Sequence, residues 1–354
     1  MSRTIKQTLQ RVSAPEPRQG EKVQPSRLII YAALAGNLMV ALTKLWAAIW
    51  TGSSAMLSEC IHSTVDMGNE LLLLYGLRRA DLRPDRDHPF GYGRELYFWS
   101  FVVAVLIFTL GAGMSIYEGV NHILHPEPIE NVGVNYLVLL ASALFEGASW
   151  MLTMRKFKGR KSYAQLPEEV RRSKDPPTFI VLLEDTAAML GLAVAFVGIW
   201  LSQHFNEPRL DGAASVVIGG ILAVTAWVLA RETKALLIGE RAHQHISDSI
   251  LRQAAGVKGI AGAHGVLTVQ LAPNQILAAL SVEFEDALQT PQIEALVIEM
   301  EQRIRRVHPE VVVLFIKPQT PHRFRQAMHE RYDPQDHQED SVPDFTATPG
   351  QAPP

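Results

Sequence analysis

The sequence predicts an all-α bundle of six transmembrane helices followed by a small α+β domain of order α-β-β-α-β. Three observations carry this reading. Six apolar stretches are each long enough for a hydrocarbon core of about 30 Å. Basic residues concentrate in alternate loops. After Arg231-Glu232-Thr233-Lys234 the pattern changes to short amphipathic and alternating segments. Averages over the chain hide this division: it is 47 % hydrophobic with a net charge of −3, because the apolar residues crowd between about 29 and 238. Such a balance gives no support to nucleic-acid binding.

The stretches run at about 29–50, 54–77, 96–120, 133–155, 178–202 and 211–236. The third (FWSFVVAVLIFTLGAGMSIYEGV) is the least ambiguous, and the acid-bearing second and fifth should be the least apolar. The loops RRADLRPDRDHPFGYGRE and RKFKGRKSYAQLPEEVRRSKDPP are basic, whereas TGSS and HPEPIENVG hold no Lys or Arg and the last outer loop has only Arg209. The positive-inside rule therefore sets both termini in the cytoplasm. GAGMS, GAAS and Gly219-Gly220 offer small residues for close helix contact. Residues 1–28 are polar, with Glu16 and Glu21 among the bases and no apolar signal core, and read as a mobile cytosolic arm.

Residues 239–319 read as the cytosolic α+β domain. HQHISDSILRQAAG is an amphipathic helix, GVLTVQLAP and QILAALSVEFE are strands turned at Pro273-Asn274, and VVVLFIKP is the third strand. Between them TPQIEALVIEMEQRIRRVHP is a helix, with Thr290 as N-cap, Pro291 at its first position and Pro309 at its end. The polar, Pro-rich stretch 320–354 has the composition of a disordered tail.

Within the second apolar stretch, Glu59, His62, Asp66 and Asn69 are spaced three, four and three apart, which keeps them on one helical face. An ionisable group at the bilayer centre costs roughly 2.5–3.5 kcal/mol on insertion scales, so a stripe of them requires partners, water or a bound cation. A carboxylate and an imidazole one turn apart are suitable donors for a divalent metal. The single cysteine, Cys60, excludes an internal disulfide and fits a small buried filler. There is no HExxH or comparable second histidine, so the chain does not read as a metal-dependent enzyme, and no prosthetic group is expected. His243, His245, His264 and His308 are scattered through the cytosolic domain and read as surface residues.

The segments SAMLSECIHSTVD, RPDRDHPFGYGRELYFW, IYEGVNHILHP and LDGAASVVIGGIL, together with the small final domain, resemble the cation diffusion facilitator family over about 29–318. VLLEDTAAMLG and the Glu146-bearing fourth stretch resemble more narrowly the branch containing the animal zinc transporter nine. The resemblance implies export of a divalent cation, zinc first, from the cytoplasm in exchange for protons. It also implies a homodimer joined through the cytosolic domain and embedded in a lipid bilayer. The alternatives are a manganese or iron exporter of the same fold, or a non-transporting regulatory subunit.

On helix two the family's metal ligands match His62 and Asp66; on helix five they match Asp185 and Val181. Valine cannot bind metal, so Glu184 is the substitute, with Asn69 and Glu59 as auxiliaries. Adjacent helical residues diverge by about 100°, so Glu184 and Asp185 cannot both face one centre on a regular helix. Fewer nitrogen and more oxygen donors would move preference from zinc towards manganese or iron. Asp85 and His88 stand where some relatives hold a second metal, but position 92 is Tyr, and the loop reads as a structured turn with its Asp and His capping or paired with arginines. Glu118 and Glu146 are expected to pair with polar or cationic groups between helices. The bacterial inner membrane is the expected location.

Overall fold

The computed structural model describes residues 25–51, 54–126, 132–158 and 174–332. The expectations for most of the N-terminal arm, for the basic stretch 159–173 and for residues from 333 onward lie outside the described residues.

Each of the six apolar stretches is one long helix. They are α1 (Pro25–Thr51), α2 (Ser54–Ala80), α3 (Glu95–Leu124), α4 (Val132–Lys158), α5 (Pro176–Phe205) and α6 (Arg209–Ile238). Among the described residues four, α3 to α6, are apolar and long enough to cross a membrane. Helix α5 was expected to be weakly apolar but matches α3, because its two acids are diluted along 30 residues. Local chemistry sets the ends. Pro176 and Pro177 open α5 with φ already fixed, and Asn206 closes it in the left-handed region at φ 53°. Gly239 ends α6 at φ +119°, a conformation that L side chains avoid.

Helix α1 packs on α2, α4 and α5, while α3 packs along α6. The α3–α6 contact is backbone to backbone. A Cβ at Gly119 would lie 2.7 Å from the Gly212 carbonyl oxygen and the Val216 nitrogen, and one at Gly219 would lie 2.5 Å from Ile116. Gly212 and Gly219 are among the small residues expected to let membrane helices close, and Gly119 is a further one. Within α3, residues Ile107–Ala112 form a π-helical turn, where Thr109 Oγ1 donates to the Val105 carbonyl at 2.9 Å. Large apolar side chains such as Leu144 (66 % exposed) and Trp227 (62 %) point outward, as a lipid-facing surface requires.

The final domain has α7 (Gln244–Ala255), β1 (Ile260–Ala272), β2 (Gln275–Phe284), α8 (Thr290–Val307) and β3 (Val311–Pro318). The sheet order is β1-β2-β3, with β1–β2 antiparallel and β2–β3 parallel. A two-residue turn serves the first pair, while the second needs α8 as its crossover. Ile250 and Leu251 of α7 and Met300 and Ile304 of α8 share one core with Ile276, Ala278, Leu280 and Val282 of β2. The N-cap of α8 is Gln289, one residue before the expected Thr290. The Gln292 side chain accepts the Gln289 N–H at 2.7 Å, a reciprocal cap that a Ser/Thr-based search passes over.

Where composition suggests disorder from 320 onward, the structure has a further helix, α9 (Pro321–Arg331). Pro321 starts it, and Phe324 lies over Gly265 of β1, where a side chain would collide with the ring. One apolar anchor thus holds a segment whose average polarity argues against order.

The two parts meet through the α2–α3 loop and the start of α5. Gly93 approaches within 2.9 Å of the Leu271 carbonyl oxygen, measured to an added Cβ, and Lys174 pairs with Glu240 at 2.9 Å. We predict that Gly119→Val costs about 1–3 kcal/mol, because backbone atoms cannot yield as side chains do. In thermal unfolding of detergent-solubilised protein the midpoint should fall by several degrees. Gly220→Val, which meets nothing within 4 Å, should leave it nearly unmoved.

Candidate metal site in the bundle

The stripe on α2 faces the interior from Asp66 towards the helix C-terminus. Asp66 is half-buried, Asn69 is 2 % exposed and Glu70 is 3 % exposed. Glu59, Cys60 and His62 lie on α2, but their side chains are outside the described ones. Glu70 was not singled out from sequence, although it stands one turn beyond Asp66 and its partner is also polar. Asn37, in the middle of α1, donates to Glu70 Oε1 at 2.6 Å. The readable signal was an asparagine within an apolar helix, which must find an acceptor.

The α5 acids diverge. Glu184 turns towards α2, with Asn69 Nδ2 at 3.5 Å from its Oε1. Asp185 turns towards α4 and accepts from Ser149 Oγ at 2.9 Å. The charges of Asp66, Asp185 and Glu146 all bear on Glu184, and those of Glu184, Asp66 and Asp185 bear on Glu70. Four helices therefore contribute to one polar centre: Asn37 from α1, Asp66, Asn69 and Glu70 from α2, Glu146 and Ser149 from α4, and Glu184 and Asp185 from α5. Val181, the family's other ligand position, is packed in the apolar core at 1 % exposure. Two buried atoms, Asn69 Oδ1 and Glu70 Oε2, have no hydrogen-bond partner among the described residues. Among the described side chains no three His, Cys, Asp or Glu residues converge as a metal-binding group.

The loop between α2 and α3 is a structured turn. Asp85 Oδ1 accepts from the backbone N–H groups of Asp87 at 3.0 Å and His88 at 2.7 Å, and Tyr92 Oη donates to Oδ2 at 2.6 Å. The caps are as expected, but Tyr92 and the backbone take the place given to arginine. The His88 ring lies on that of Tyr92, with centroids 4.2 Å apart. Two histidines read as surface groups are largely buried: His308 bridges Glu310 at 3.0 Å and Ser249 at 2.7 Å, and His264 lies 3.5 Å from Glu283. His308 closes the core between α7 and β3, a tertiary role that spacing cannot reveal. Glu118 lies on an exposed stretch of α3.

An apolar bundle around a carboxylate-rich centre, with a small sheet domain beneath, defines a polytopic membrane protein of the kind that moves cations. The cation efflux transmembrane domain matches residues 30–238, and the chain belongs to the cation diffusion facilitator family. It is 32 % identical over 268 residues to the mitochondrial proton-coupled zinc antiporter SLC30A9 of Homo sapiens, covering 74 % of this chain and 46 % of that one. It is 33 % identical over 234 residues to metal tolerance protein C4 of Arabidopsis thaliana (65 % of this chain, 50 % of that one). It is 26 % identical over 288 residues to the cation-efflux pump FieF of Klebsiella pneumoniae strain 342 (80 % and 90 %). The chain spans about half the length of the first two relatives.

One prediction concerns the loop. Hydrogen bonds from Tyr92 and then from the His88 and Asp87 amides hold the Asp85 carboxyl below its ordinary range. A carboxyl depressed in the folded state contributes stability that is complete above its unfolded pKa, about 3.9, and is lost as pH falls through the lower folded value. Exchange at the Asp87 and His88 amides, corrected for intrinsic rate, should stay slow at pH 5 and rise only below about pH 4. Tyr92→Phe should move that onset upward.

Proposed function

We propose that the protein exports a divalent cation, zinc first, from the cytosolic side in exchange for protons. All six long helices span the bilayer in this reading, with both termini cytosolic. Residues 29–238 act as the transport domain and 239–319 as the dimerisation domain of a homodimer. The observation that carries it is the approach of Glu184 on α5 to Asn69 on α2, on the side of α2 that also bears Asp66. His62, one turn before Asp66, adds the nitrogen donor. With Asp185 engaged by Ser149, Glu184 is the helix-five ligand, Asp185 supports it from the next position, and Asn69 and Glu59 are auxiliaries.

The chemistry is one of competition. Several carboxylates close together in a low-dielectric interior cannot all remain charged, so they hold protons or a dication. A divalent ion requires deprotonated carboxylates and a neutral imidazole, so binding metal releases protons. Histidine suits the exchange, because its unperturbed pKa of about 6.5 lies near working pH. Exposure of the centre to the opposite side lets protons displace the metal. The zinc antiporter and efflux-pump relatives support this reading; on location they divide, since the 32 % identical SLC30A9 relative is mitochondrial and the 26 % identical FieF relative is from a bacterium.

The test is uptake of zinc, manganese, iron(II) and cobalt into proteoliposomes at two pH gradients, with internal pH followed at the same time. Zinc uptake with coupled proton movement is expected, and Asp66→Ala should reduce it at least about 100-fold while leaving membrane insertion intact. Full transport by Asp66→Ala would overturn the assignment. A wild-type protein that moves none of these metals would favour a regulatory subunit.

A further inference from the structure

We propose that Glu70 anchors a second, all-oxygen position for a divalent cation, one helical turn to the cytosolic side of Asp66, completed by Asn69 and Glu184. This rests on the transport reading for its direction of flow but not for its chemistry. Glu70 is 3 % exposed and uses only one carboxylate oxygen, which accepts from Asn37; the other is buried without a hydrogen-bond partner. The adjacent Asn69, 2 % exposed, spends its Nδ2 on Glu184 and leaves its Oδ1 likewise without a partner. An unsatisfied buried acceptor costs about 1–3 kcal/mol, and here two lie on successive residues beside a third carboxylate. Each lacks a positive or hydrogen-bearing group, which a hydrated cation supplies.

The donor set determines which cation. His62 and Asp66 offer nitrogen and oxygen and suit zinc, whereas Glu70, Asn69 and Glu184 offer oxygen alone. Such a set, filled out by water, suits an octahedral oxygen-preferring ion of the manganese class. Helix α2 runs from the outer side to the cytosol, so one turn, about 5.4 Å, separates Glu70 from Asp66. A cation arriving from the cytosol meets the oxygen position first and can pass to the nitrogen-bearing one as Glu184 changes hands between them. Asn37 is a positioning residue: it fixes one oxygen of Glu70 and so directs the other.

Manganese(II) binding to the purified protein, followed by electron paramagnetic resonance with zinc as competitor, tests the proposal without requiring transport. Glu70→Gln keeps an acceptor for Asn37 but removes the charge. It should weaken manganese binding about tenfold or more and lower the manganese-to-zinc affinity ratio by a similar factor. Asn37→Ala, which removes the tether and keeps the carboxylate, should lower that ratio less. Manganese affinity within twofold of wild type in Glu70→Gln overturns the proposal. So does an equal loss of both metals, or an Asn37→Ala effect as large as that of Glu70→Gln, since either marks Glu70 as a helix tether. If manganese binding depends on Glu70 but no metal crosses vesicles, the transport reading fails and this one stands.

Discussion

Carboxylates held inside an apolar bundle by neutral donors are the constraint from which the other features follow. Glu70, Glu184 and Asp185 receive hydrogen bonds or close polar contact from Asn37, Asn69 and Ser149. An amide or hydroxyl fixes a carboxylate's position without cancelling its charge, whereas a lysine there would form a permanent ion pair and remove the demand for a mobile cation. The centre is therefore positioned yet electrically incomplete. Any charge left on these carboxylates must be compensated by a proton or a cation.

The same constraint explains how the helices are divided. The four that supply polar groups, α1, α2, α4 and α5, pack around the centre, while α3 and α6 supply none of the groups described there and instead close on each other through Gly119, Gly212 and Gly219. Backbone contact gives those two helices a close seam of small residues, whereas buried polar side chains join the other four. At the end of α2 Arg79 pairs with Glu95 at 2.9 Å and Trp99 Nε1 donates to the same carboxylate at 2.9 Å. The Lys174–Glu240 pair joins the start of α5 to the chain leaving α6. The segment leading into the final domain and the start of α5 are thus connected by a largely buried lysine, which costs more to separate than an exposed pair would.

Hydropathy and loop charge revealed the helices because lipid imposes a length and a side preference that composition cannot hide. Alternation and turn residues revealed the sheet in the same way, down to Pro273-Asn274 between β1 and β2. Three of the failures share a cause: each depended on a partner distant in sequence. Helix α9 is anchored by Phe324 over Gly265, His308 by Ser249 and Glu310, and Glu70 by Asn37. Periodicity identifies which face of a helix is polar, but not which neighbour supplies the complementary atom. For Asp66 the one-turn spacing sufficed; for Glu70 the spacing was equally present, and only the α1–α2 contact shows why an acid is tolerated at that depth.

The pair Glu184-Asp185 shows what adjacency in a helix can do that spacing by a full turn cannot. Two polar residues four apart, at the positions of Val181 and Asp185, would present one aligned face to one centre. Here Val181 is packed into the apolar core and the acids are consecutive, so they address different helices: Glu184 turns to α2 and Asp185 to α4. One segment of α5 therefore connects α2 to α4. A small rotation of α5 about its axis would carry Glu184 away from Asn69 and Asp185 away from Ser149 together, because both are fixed to the same turn. The two contacts are then lost in one event. That coupling follows from the 100° step between successive residues and needs no further device.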